Sequence, residues 1–124
     1  MADFKLNDAN SSPVVDSPPF FQSGTVTSGA TITIALDNVT QRINLVCTSG
    51  GGALKFGVTT AGVGGTAFGT LANTNSTGVV DMKIKQLVLT AVGADMGYAF
   101  IAVLDRTASA DYPDITTGNG FTGV

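Results

Sequence analysis

Residues 86–104, QLVLTAVGADMGYAFIAVL, constrain this chain more than any other stretch. Two apolar runs, one from Leu87 to Val92 and one from Tyr98 to Leu104, flank Gly93, Ala94, Asp95, Met96 and Gly97. Each run has the length of a strand, and the glycines on the turn side leave either too short for a typical helix. A connection with a glycine at each end reads as a hairpin turn. Neither run alternates polar with apolar residues. Leu87, Leu89 and Ala91 point one way, and Val88 and Val92 the other. Both faces therefore need cover, from a second sheet, a neighbouring chain, or both.

Composition extends this reading to the whole chain. The 124 residues suit one domain with a real core. Glutamate, the common acidic helix former, is absent, while threonine and valine, which suit pleated surfaces, abound. The ordered segments then follow one another as short strands. A first run spans 21–27. Ile32, Ile34 and Leu36 alternate with threonines, and Asp37-Asn38 reads as the next turn. Ile43, Leu45 and Cys47 share a face, and Ser49 to Gly52 reads as the turn of a second hairpin that returns through Leu54, Phe56 and Val58. Residues 59–65 read as a Gly/Ala/Thr loop, 66–71 as a short strand and 73–78 as a turn cluster. Val80, Met82 and Ile84 then face inward from the strand before the 86–104 hairpin. The expected fold is all-β, a two-sheet sandwich or jelly roll of about eight antiparallel strands. Its inward set is Ile32, Ile34, Leu36, Ile43, Leu45, Leu54, Phe56, Leu87, Leu89, Phe100 and Leu104.

The ends differ from this body. Residues 1–18 read as an extended arm, because turn formers and Pro13 and Pro18 dominate and Phe4 and Leu6 are isolated among polar residues. Residues 19–105 form the sandwich domain, and 106–124 a loop-like tail. Phe4, Leu6, Phe20, Phe21, Tyr112 and Phe121 are large apolar groups for such ends, so they are candidate partner anchors. Val88, Ile101 and Val103 join them, because a sandwich core uses one face of each strand. A homo-oligomer that buries their face is expected.

Most catalytic chemistries lack their residues here. The chain has no histidine, so Ser-His-Asp and Cys-His nucleophile systems are excluded. Cys47 is the single cysteine, which excludes an internal disulfide and a cysteine zinc cluster. Asp105, Asp111 and Asp114 lie in a Gly/Pro-rich tail with no Asp-x-Asp spacing, a poor basis for a carboxylate pair or a calcium loop. No enzymatic activity and no cofactor are expected. A net charge of −3 with scattered cations gives nothing to neutralise a row of phosphates, so nucleic acid is not an expected partner. No apolar run approaches the ~20 residues of a membrane helix. The opening residues MADFKLNDANSSP lack a charged-then-apolar leader, so cytoplasmic synthesis is expected. Only 12 % of residues are charged, about half the usual share, which fits a surface partly covered by partners.

The layout from about residue 25 to 105 resembles small tailed-bacteriophage virion proteins. The resemblance lies in the stretch from Arg42 to Gly50, the aromatic-glycine strand end from Leu54 to Gly57, the Gly/Ala/Thr loop, and the final runs from Lys85 to Leu104. Head decoration (cement) proteins are the nearest in pattern. The resemblance implies a β-sandwich or jelly roll without catalytic residues, located in the virion. It implies other virion proteins, above all the major capsid protein, as partners, and a homotrimer as the assembly. A tail, fibre or baseplate module and a carbohydrate-binding adhesion module are the alternatives.

Overall fold

The computed structural model describes residues 18–124, which form two four-stranded antiparallel sheets packed face to face. The strands are β1 (Pro19–Val26), β2 (Thr31–Ala35), β3 (Asn38–Ser49), β4 (Ala53–Gly57), β5 (Gly69–Leu71), β6 (Val80–Asp81), β7 (Gln86–Val92) and β8 (Met96–Ala108). The first sheet has the order β1-β8-β3-β6 and the second β2-β7-β4-β5. The all-β two-sheet architecture expected from the sequence is the one found.

The pairing is nested: β1 with β8, β2 with β7, β3 with β6 and β4 with β5. The chain is thus one long antiparallel ribbon, folded back between β4 and β5. The ribbon is rolled so that β8 also pairs β3 and β7 also pairs β4. A ribbon rolled in this way is a jelly roll.

This topology corrects the local hairpins. β7 and β8 lie in different sheets, so 93–95 is a crossover between sheets and not a hairpin turn. The same holds for 50–52 between β3 and β4, and for Leu36-Asp37 between β2 and β3. Turn residues mark where the chain reverses, but they do not say whether the next strand pairs with the last or packs across the core from it. In a sandwich both arrangements bury the same alternating positions.

The core lies between the sheets. Nine members of the expected inward set are buried, while Ile32 and Phe56 are half-buried and pack against the others. On β8, Met96, Tyr98, Phe100, Ala102 and Leu104 face inward and are buried. Phe20 meets Phe100 edge-on, with ring centroids 6.0 Å apart. Met82 departs from expectation: it is exposed, because β6 pairs for only two residues and ends before it.

Residues 60–64, expected as loop, form a short helix, α1 (Thr60–Gly64). Its composition is poor for a helix, but Thr59 caps it by accepting from the Gly62 N–H at 2.8 Å. Its Val63 is buried over Gly57, where a side chain would come 2.7 Å from a Val63 methyl carbon. Gly57 is paired with Val88. The helix therefore covers the outer side of β7, and Val88 is fully buried there.

One buried polar residue fastens an edge. The Thr40 hydroxyl donates to Met82 O at 2.6 Å and accepts from Ile84 N at 2.9 Å. It ties β3 to the segment after β6 at a point where the β3–β8 register shifts. Replacing Thr40 by valine keeps the shape and removes both bonds. The variant is expected to lose about 1–3 kcal/mol in urea unfolding, because the Ile84 N–H stays buried without this partner and Met82 O loses its bond from the hydroxyl.

Candidate interaction surfaces

Two uncovered apolar regions lie at opposite edges of the sandwich. The first is the outer face of β1 and β8. Alternation sends Phe21 outward beside its cross-strand partner Ile101, and both remain open, at 70 % and 41 % exposure. Val103 and Ala99 flank Ile101 and are half-buried. Residues 21–25 are all exposed, so the outer edge of this eight-residue strand is uncovered too. No charged residue stands between Asp16 and Asp37. Edge strands commonly carry charges or bulges that discourage pairing with another chain, and β1 has neither a charge nor a register shift against β8. On the same face, the Asn44 Oδ1 atom of β3 is buried without a hydrogen-bond partner, next to Ile101 in register.

The second region is a cleft of about 640 Å³ at the far edge, where the two shortest strands, β5 and β6, leave the sheets apart. Ile43, Phe56, Leu71, Ile84 and Leu87 line it, and Phe68 and Met82 stand at its border, partly exposed. Lys55 reaches over Phe68, with its Nζ 4.3 Å from the ring centroid.

The expected anchors divide between surface and core. Phe21, Ile101 and Val103 lie together on the outer face of β1 and β8. Phe20 points the other way, onto Phe100. Val88 lies under α1 within the same chain, so a partner does not reach it. Its cover is a helix, which the sequence reading did not foresee. Tyr112 and Phe121 are half-buried on their own domain, with ring centroids 6.4 Å apart. Phe4 and Leu6 lie outside the described residues.

The C-terminal tail is fastened to the domain. β8 continues to Ala108, past residue 105, and Ile115 is buried in the core. Lys85 donates to Tyr112 O and pairs with Asp114 at 3.0 Å, and the Thr59 hydroxyl donates to Val124 O. Asp105 is hydrogen-bonded by Lys83, which holds its carboxyl below the usual range, with the Arg106 backbone N–H acting in the same direction. Among the described residues, no three Asp or Cys side chains gather as a metal site would require. At the other end, Pro18 just ahead of β1 is tied to β8, its carbonyl accepting from Leu104 N at 2.8 Å.

These features define a jelly-roll domain with an apolar, charge-free edge on one side and an apolar cleft on the other. No family model, curated protein or solved structure matches the chain.

Proposed function

We propose that this protein is a non-enzymatic structural component of a virion, a decoration or cement protein that packs on the capsid surface as a homotrimer. The observation that carries the reading is the joined apolar surface of Phe21, Ile101 and Val103 beside an uncharged strand edge. Exposed apolar groups rimmed by polar residues mark protein contacts. Burying Phe21 and Ile101 contributes up to ~1.5–3 kcal/mol each. Free backbone groups along β1 add hydrogen bonds to any strand laid beside them. A cement protein needs a rigid core and adhesive edges, and the described residues supply both. The major capsid protein and further copies of the chain are the partners proposed.

A carbohydrate-binding reading has less support. Tyr98 is buried, and the two exposed phenylalanines among the described residues, Phe21 and Phe68, stand at opposite edges and form no shared platform.

The test has two parts. In sedimentation equilibrium the unmodified protein is expected to be a trimer at micromolar concentration, and Ile101→Asp a folded monomer with an unchanged circular dichroism spectrum. The side chain points outward, so the substitution leaves the core intact. A monomeric unmodified protein refutes the oligomer. Co-sedimentation with capsid shells of the same virus tests the location, and a protein that stays in the supernatant refutes the cement role.

A further inference from the structure

We propose that the cleft between β5 and β6 receives the N-terminal segment of a second copy of this chain, with Phe4 and Leu6 seated between the sheets and Lys5 turned to solvent. The route from copy to copy rests on the trimer proposed above. The seat itself is a separate surface, at the opposite edge of the domain.

The cleft suits an apolar, extended occupant. Ile43, Leu71, Ile84 and Leu87 line its depth and offer water no side-chain hydrogen bonds. Thr77 also lines it, but that hydroxyl is engaged: it donates to Gly78 O at 2.8 Å and accepts from Leu45 N at 3.0 Å. At about 640 Å³ the space has room for more than one large side chain. β5 and β6 are the end strands of their sheets, and among the described residues no strand lies beside their outer edges. An extended segment laid there meets open backbone groups as well as the apolar slot.

The sequence holds a segment with the matching pattern. Asp3-Phe4-Lys5-Leu6-Asn7 alternates polar with apolar residues, which puts Phe4 and Leu6 on one face of an extended strand and Lys5 on the other. This segment joins the domain through Pro18, whose carbonyl is bonded to Leu104 N beside β1. The cleft lies at the other edge, past β8 and β3. To reach the cleft of its own chain, the segment would cross the outer face over Phe21 and Ile101, which the proposed trimer buries. Residues 7–17 span at most about 40 Å when extended, against about 15 Å across four strands, so a neighbouring cleft is within reach. Each copy then gives one segment and receives one, a head-to-tail exchange that a three-fold ring closes.

The test is oxidative cross-linking of the full chain carrying Leu6→Cys and Met82→Cys, with Lys5→Cys and Met82→Cys as the control. Met82 is exposed at the cleft border, and the native Cys47 is buried. A bridge needs Cβ atoms about 3.5–4.5 Å apart. Position 6 is expected to bridge to position 82 of another chain and to shift most of the protein to covalent trimers on non-reducing gels. Position 5 should bridge several-fold less. When reduced, both variants should sediment as the unmodified protein does. A bridge within one chain overturns the exchange and makes the chain's own segment the occupant. No bridge, or equal bridging from positions 5 and 6, overturns the seat. Sedimentation of the unmodified protein separates this result from the assembly reading. A trimer without the bridge refutes the exchange alone, an interchain bridge in a dimer refutes the trimer alone, and a monomer refutes both.

Discussion

Truncating Phe100 to alanine is expected to remove about 3–5 kcal/mol of stability, the range for a large aromatic ring deleted from a packed core. Phe100 is fully buried on the inner face of β8, in register with Gln22 on one side and Leu45 on the other. Its ring also supports Phe20, so the deletion strips contacts from β1 as well. A domain of this size has about 5–15 kcal/mol in total, so the loss is a large share. The thermal midpoint should fall by more than ~10 °C. Ile101→Ala provides the contrast. It is the next residue on the same strand and points outward, so in the dissociated chain it should change stability by only about 0.5 kcal/mol. Equal losses at the two positions would mean that β8 does not alternate between core and surface as described.

Alternation is also what made the fold legible. Strict period-two runs such as Ile32-Ile34-Leu36 and Ile43-Leu45-Cys47 fix which side chains face inward, whatever the partner strand is. The core positions could therefore be read without knowing the topology. Pairing was not legible, because a jelly roll joins its first strand to its last, and the residues that decide this are far apart: Phe21 meets Ile101, and Ile34 meets Leu87. The expected cover on the second face of Leu87 to Val92 is found at Val88 but not at Val92, which is exposed. At Val88 the cover came from a five-residue helix whose Gly/Ala/Thr sequence carries no helical period. Its only local signal is Thr59 as cap.

The candidate surfaces were legible in part for the same reason. Phe21, Ile101 and Val103 are outward by parity, and the sequence alone gives parity. The cleft was not, because it results from β5 and β6 being too short to close the sandwich edge. Val79 and Met82 are exposed there despite being apolar. Gly78, just ahead of β6, and Gly69, the first residue of β5, hint at weak pairing but do not predict a cavity.

Within one run of three glycines, adjacent alanine substitutions are expected to have opposite effects. Gly52→Ala should cost about 3 kcal/mol, at the upper end for overpacking a filled site. A methyl group there would lie 2.1 Å from Val92 O and 2.9 Å from Ala94 N. These atoms belong to the end of β7 and to the 93–95 crossover, so they are backbone and cannot swing aside. The 50–52 crossover is pressed against the 93–95 crossover, and only a residue without Cβ fits at the contact. At Gly51 a methyl group meets nothing within 4 Å, and the backbone does not require a left-handed conformation. Gly51→Ala should therefore be neutral or stabilising by up to ~1 kcal/mol, through lower entropy of the unfolded chain. Urea midpoints of the two variants decide the matter. If 49–52 were a free hairpin turn, both substitutions would act locally and neither would depend on Val92. A large loss at Gly52 with none at Gly51 is the result that two crossovers in contact require. Similar small effects at both would exclude that contact.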